Sequence, residues 1–254
     1  MNGKPNRTEK IRQILVILST AGVIIINYLG ATGSLNNTSV GDISDKYPTL
    51  ITPADYAFSI WGLIYLGMIL FSIYQALPSQ TAKPHFLRTR TVYIASCVAN
   101  CAWIYFWLHE QILIAAAVLF ILLAALAFIN LNLKGANSIA ETWLARVPFG
   151  IYFGWVTVAS ILNAAVALTF AGVEASNTTA TIWAGILICA AAILGVLIRW
   201  KLGIAVYAVT VAWALTAIAV KQSGKTLIVS LCAFGVIALL IAFFTPFLHL
   251  EESK

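Results

Sequence analysis

The sequence predicts an all-α, polytopic membrane helix bundle of about eight transmembrane helices, and three observations predict it. The 254-residue chain is 61% hydrophobic and only 9% charged, with a mean hydropathy of +0.93. A soluble domain of this size carries about 25% charged residues. The charges fall in short segments, and the apolar runs between them approach the ~20 residues that a helix needs to cross a bilayer. These runs lack the ~10-residue alternation of barrel strands, and lipid-exposed backbone must satisfy its own hydrogen bonds, which leaves helices.

The spans are predicted at 11–31, 55–77, 91–108, 111–133, 147–171, 180–198, 202–220 and 226–248. The first follows Lys4, Arg7, Lys10 and Arg12. Its long apolar run, with no clear small-x-small cleavage site after it, reads as a retained helix rather than a signal peptide. Residues 32–54 form an external loop carrying Asp42, Asp45 and Pro48, long enough to fold over the bundle as a lid. Pro53 and Asp55 start the second helix, since proline suits a first turn and an acid there complements the helix dipole. Pro78 and Pro84 punctuate the next loop, Gly172 closes the fifth span, and Ser223-Gly224 separates the last two.

Eight spans put both termini on one side. That side holds Lys4, Arg7, Lys10, Arg12, Lys83, Arg88, Arg90, Lys134, Arg146, Arg199, Lys201 and Lys254, against Lys46, Lys221 and Lys225 on the other. Twelve against three places both termini in the cytoplasm. The net charge of +6 is thus a topology signal, split among five segments, and no nucleic-acid partner is expected. The partner it fits is the lipid bilayer, with anionic headgroups at the inner face.

Several function classes fall away. No Asp, Glu, Lys, Arg or His lies deep in a predicted span, whereas proton relays and ion-coupled carriers keep one there. There is no P-loop, nucleophile elbow or dinucleotide fingerprint, and no catalytic residue or enzymatic activity is predicted. Cys97, Cys101, Cys189 and Cys232 all lie in spans, and His85, His109 and His249 at span ends or in loops. The cysteines read as small polarizable packing residues, and no metal ligand set is assigned.

Neutral polar and aromatic side chains remain. Phe58, Trp61, Tyr65 and Ser72 share a rhythm of threes and fours in the second span, as do Asn100, Trp103 and Trp107 in the third. Pro148, Tyr152, Trp155 and Asn163 do so in the fifth, and Tyr207, Thr210, Trp213 and Thr216 in the seventh. Asn27 lies late in the first. Lipid has no use for an amide, so these faces point inward. Each Asn reads either as a hydrogen bond between helices, at roughly 1 kcal/mol, or as a handle in an aromatic pocket for a flat apolar molecule. Trp61 and Tyr65 lie about two and three turns from the helix entrance, too deep for an interfacial aromatic belt.

These residues resemble the tryptophan-rich sensory protein, or translocator protein (TspO), family. The resemblance is carried by the proline-led aromatic helix ending in Trp61-x-x-x-Tyr65, by Asn100-x-x-Trp103, and by Pro148 with Trp155 and Asn163 eight residues apart. It covers about the first 171 residues. Asp55 or Tyr56 stands where the family has a tryptophan, and Pro148 is three residues further from Trp155 than in the family pattern. The family is a five-helix bundle, so the resemblance implies a TspO-like domain over 1–173 and an appended three-helix segment over 174–254.

The resemblance further implies a pocket for tetrapyrroles, sterols or similar molecules, lined by Phe58, Trp61, Tyr65, Asn100, Trp103, Trp107, Tyr152, Trp155 and Asn163. No cofactor is identified; a tetrapyrrole or a lipid is the ligand class implied. A homodimer or a larger membrane complex is the assembly implied. The leading expectation is a sensor or carrier; a permease for a neutral substrate and a subunit of a membrane complex are the alternatives.

Overall fold

The computed structural model describes residues 7–136, 138–172 and 177–245. Lys4, His249, Lys254 and the expected boundary at 173/174 lie outside these residues. In chain order the helices are α1 (Arg7–Ala31), α2 (Val40–Lys46), α3 (Ile60–Ala76), α4 (Pro84–Leu108), α5 (Ile112–Asn132), α6 (Ile139–Glu141), α7 (Val147–Phe170), α8 (Asn177–Leu202), α9 (Ala205–Lys221) and α10 (Thr226–Phe244). No strand occurs among the described residues. Among the described residues, seven helical stretches are long and apolar enough to cross a membrane. The seventh expected span is the short one: α9 has 17 residues and rises about 25 Å, less than the ~30 Å hydrocarbon core.

Two spans begin earlier than hydropathy suggests. Hydropathy starts the third at residue 91, but α4 starts at Pro84, a residue whose missing N–H costs nothing in a first turn. Hydropathy starts the fifth at 147, yet the helical path runs from Ile139 through a π-turn at Thr142–Arg146. Pro148 accounts for the π-turn. It cannot donate to Leu144, and its ring would crowd that carbonyl. The path widens, and the Val147 N–H reaches back five residues to the Thr142 oxygen.

The first of two compact units comprises the described residues within Met1–Thr49 and Phe58–Glu174. Its five long helices close a ring: α1 packs on α4, α4 on α5, α5 on α7, α7 on α3 and α3 on α1. The inward stripe of α1 is Gln13, Val16, Thr20, Val23, Asn27 and Gly30, a period of 3.5 that keeps one seam on its neighbours. A Cβ on Gly30 would lie 3.0 Å from Ile104 Cγ2, so glycine lets α1 and α4 approach. Every second position of the stripe is polar and bonded across. Gln13 Nε2 donates to the Gln75 carbonyl (2.8 Å), the Thr20 hydroxyl meets those of Ser72 (2.5 Å) and Tyr93 (2.7 Å), and Asn27 Nδ2 donates to Asn100 Oδ1 (2.6 Å). Such bonds average ~0.6 kcal/mol each in a membrane, where lipid removes most of the hydrophobic drive.

Charge also lies inside this unit, which the sequence did not indicate. Arg90, expected in a cytoplasmic loop, sits in the second turn of α4 with no exposed surface. Its guanidinium donates to Gln75 Oε1, to the carbonyls of Gln75, Gln80 and Thr81, and to Glu9 Oε2 at 3.1 Å. Glu141 is buried too: it pairs with Lys83, lies 3.2 Å from His85 Nε2, and accepts from the Ser138 N–H while the Ser138 hydroxyl caps its own amide.

The second unit comprises the described residues within Ala175–Lys254 together with Leu50–Ala57. Its three helices α8, α9 and α10 each pack on the other two. Small residues permit this: a Cβ on Gly195 would stand 2.3 Å from Leu239 Cδ2, and one on Gly235 2.8 Å from Leu215 Cδ1. The chain thus leaves the first unit after Thr49, runs with the second over 50–57, and returns at Phe58.

Candidate functional site

The loop expected as a lid has structure of its own. Ser39 and Asp42 make a reciprocal capping box that starts α2. Main-chain oxygens fasten the loop to α4: Trp107 Nε1 donates to the Val40 carbonyl at 3.1 Å, and Asn36 Nδ2 to the Leu108 carbonyl at 2.7 Å. The α4–α5 connection pivots on Glu110, whose φ of +55° is left-handed, a conformation that costs a non-glycine residue about 1–3 kcal/mol. That turn aims the Glu110 carboxylate at Lys46 Nζ (2.5 and 2.6 Å) and the Tyr47 hydroxyl (2.6 Å).

Those two bonds hold the Glu110 carboxyl below its ordinary value of 4.5, and the Glu110 bond holds the Lys46 ammonium above its ordinary 10.5. A depressed carboxyl contributes stability that is fully present above the ordinary value and lost as pH falls through the folded-state value. A raised ammonium contributes below its ordinary value and loses it as pH rises through the folded one. The latch therefore loosens on the acid side of 4.5. In Glu110→Gln, α2 amides should exchange hydrogen faster than in the native chain at pH 7, and the difference should shrink as pH falls below 4.5 and the native carboxyl takes up its proton. Equal exchange in Glu110→Gln and the native chain at pH 7 would show that Glu110 charge is not what holds α2.

Inside the ring, aromatic side chains from α3 and α7 meet. Asp55–Ser59 forms a 3-10 turn that runs into α3 at Ile60, so Asp55 opens the helical stretch as expected and Pro53 lies just before it. Trp61 stacks on Tyr65 (5.5 Å between ring centroids, 19° between planes) and meets Tyr152 (6.0 Å) and Trp155 (6.3 Å, 84°) edge to face. Phe58 meets Trp155 in the same way at 6.0 Å. Edge-to-face pairs leave ring faces available for further stacking. Asn100 Nδ2 donates to the Tyr152 hydroxyl at 2.8 Å while its Oδ1 accepts from Asn27, which ties the group to α4 and α1. Trp155 Nε1 is buried and has no hydrogen-bond partner among the described residues.

Trp103, Trp107 and Asn163 form a second group. Trp103 stacks on Trp107 at 6.0 Å, and its Nε1 donates to Asn163 Oδ1 at 3.2 Å. Asn163 Nδ2 is taken by the Ala159 carbonyl (3.0 Å). Both ends of the Asn100 and Asn163 amides are thus already bonded, so both serve as links within the protein. The seventh-span rhythm is used differently: Thr210 and Thr216 bond carbonyls of their own helix, and Trp213 Nε1 donates to the Ala57 carbonyl at 3.2 Å. Gln13, Thr20 and Tyr93 do not stand out in the sequence, although the seven-residue spacing of Gln13, Thr20 and Asn27 carries a signal, and Ser72, already part of the second-span rhythm, meets Thr20. Among the described residues no group of three His, Cys, Asp or Glu side chains could hold a metal ion.

The profile of one family, described as TSPO-like protein, matches residues 13–245. That match runs on through α8, α9 and α10, beyond residue 171 where the motif resemblance stops. No curated protein and no solved structure matches the chain.

Proposed function

The chain belongs to the TSPO-like protein family and is a multi-pass integral membrane protein, and on that premise we propose that it binds a flat apolar molecule, of tetrapyrrole or sterol type, without catalysing its conversion. The observation that carries this reading is the buried, unpartnered Nε1–H of Trp155, whose ring meets Phe58 and Trp61, with Trp61 in turn against Tyr65 and Tyr152. A buried donor without an acceptor costs about 1–3 kcal/mol, and a ligand that brings a carbonyl, carboxylate or ring nitrogen removes that cost. The ring faces around it supply stacking area. The fit is to a sensor or carrier that holds its ligand by aromatic contact and one hydrogen bond.

Protoporphyrin IX is the probe for the test. It should quench tryptophan emission saturably in the purified protein. Trp155→Leu loses stacking worth roughly 0.5–1.5 kcal/mol, which corresponds to about two- to twelve-fold weaker binding, and loses the free donor as well. Trp200, whose Nε1 is bonded to Thr245 Oγ1 at the end of α8, is the control, and Trp200→Leu should bind as the native chain does. Equal affinity in Trp155→Leu, with helicity intact by circular dichroism, sinks the proposal.

The excess of basic residues places both termini in the cytoplasm in this reading. A cysteine at Ser34, exposed before α2, should react with a membrane-impermeant reagent from outside, and one at Ser79 should not. Reversed labelling would invert the orientation.

A further inference from the structure

We propose that the ligand presents a neutral carbonyl to this site, as a ketone or a quinone does, and that the Trp155 N–H selects it over a hydroxyl or a carboxylate; the inference rests on reading the aromatic group of α3 and α7 as the ligand site. The polar atoms of that group are mostly donors. An indole nitrogen donates and accepts nothing, whereas a phenol does both. Trp61, Tyr65, Tyr152 and Trp155 each bring an N–H or O–H proton, against the oxygens of Tyr65 and Tyr152 to receive them. Asn100 adds to the excess: its Nδ2 donates to the Tyr152 oxygen at 2.8 Å, and its own Oδ1 already accepts from Asn27 Nδ2 at 2.6 Å. Tyr152 and Trp155 are both 4% exposed, so bulk water does not relieve the shortage of acceptors. It shows at Trp155 Nε1, which has no partner among the described residues.

Charge narrows the ligand head further. The ring contacts of the group and its bond to Asn100 are all to neutral side chains. Arg90 shares α4 with Asn100, but it stands ten residues earlier, about 15 Å along the axis, and each of its five N–H groups is already bonded. Lys46 is paired with Glu110. A carboxylate buried here meets no cation, and an uncompensated buried charge costs far more than a neutral polar group. A hydroxyl accepts the indole proton but adds a proton of its own to a group short of acceptors. A carbonyl accepts the same proton, has a second lone pair for a phenol, and adds none. The donor excess is therefore selectivity for an acceptor-only head on a flat apolar body.

The test uses the purified full chain in detergent and matched pairs of probes. Tritiated 5α-cholestan-3-one and 5α-cholestan-3β-ol differ only in the head, and protoporphyrin IX and its dimethyl ester differ in charge. The native chain should bind the ketone about two- to twelve-fold more tightly than the alcohol, the difference of one hydrogen bond, and the diester more tightly than the diacid. Trp155→Phe keeps a ring and loses the N–H, and it should erase the ketone preference. Trp143→Phe, a change at an exposed ring, should leave the preference as it is in the native chain. A native preference for ketone that is absent or reversed overturns the proposal, and so does one that survives unchanged in Trp155→Phe. A diacid bound more tightly than its diester overturns it as well. In each of these cases saturable protoporphyrin IX binding leaves the broader reading of a flat apolar ligand standing. If neither sterol nor porphyrin binds, that broader reading fails and this one with it. If Trp155→Phe does not fold, the native preferences decide alone.

Discussion

Arg90→Met should be the most damaging single change in the first unit, lowering stability by about 3–5 kcal/mol, the usual cost of removing one partner from a buried ion pair. The side chain has no exposed surface. Its removal takes a donor from Glu9 Oε2, Gln75 Oε1 and the Thr81 carbonyl, while the Gln75 carbonyl keeps Gln13 Nε2 and the Gln80 carbonyl keeps the Lys83 N–H. At about 2–4 °C per kcal/mol for a chain of this length, the midpoint of thermal unfolding in detergent should fall by about 6–20 °C. Arg90→Lys should recover little, because an ammonium cannot present the planar fork that reaches these acceptors from one place. Pairing Arg90→Met with Glu9→Gln should recover part of the loss, since the uncompensated carboxylate is then gone. A midpoint within about 2 °C of the native value for Arg90→Met would show that the buried guanidinium contributes nothing net.

Gly67→Val should be second, and it acts by distance rather than charge. A Cβ at Gly67 would stand 2.8 Å from Pro148 Cβ, 3.2 Å from its Cγ and 3.3 Å from its Cα. The obstacle is a proline ring and main chain, so no flexible side-chain end can swing away. Even Gly67→Ala should cost about 1–3 kcal/mol as overpacking, and valine more. The strain falls between α3 and α7, the two helices that bring Trp61 and Trp155 together. Loss of stability should therefore be accompanied by weaker protoporphyrin IX binding. Gly62→Ala is the comparison: nothing lies within 4 Å of its Cβ, so the change should be neutral or stabilise by up to about 1 kcal/mol. Equal midpoints for Gly67→Val and Gly62→Ala would refute the close approach of α3 to Pro148.

What the sequence disclosed and what it hid follow from the range of each signal. Hydropathy is local, and it located the helices to within a few residues except where charge interrupted it. Arg90 reads as a loop residue because a charged side chain ends an apolar run, although a buried guanidinium with enough acceptors extends the helix instead. Helical rhythm is local too, and it brought out Trp61, Tyr152 and Trp155, which do meet. It could not tell whether an amide faces a ligand or another helix, and Asn27, Asn100 and Asn163 all turn out to be bonded within the protein. The Ser39-x-x-Asp42 spacing that starts α2 is visible in the sequence and was overlooked inside a loop. The contact of Ala57 with Trp213 spans 156 residues, and no pattern in either segment announces the other.

The spacing of the crossbars on α1 also restricts how the ring can move. Gln13, Thr20 and Asn27 each meet a different partner, and they stand seven residues apart. A slide of α1 along its axis by the rise of a single residue, about 1.5 Å, strains all three at once. A shift of a full seven residues, about 10.5 Å, would set each crossbar against a partner of different chemistry, since Gln13, Thr20 and Asn27 each meet a different group. Piston-like translation of α1 therefore gives up three bonds together, whereas a tilt of one neighbouring helix can give them up one at a time.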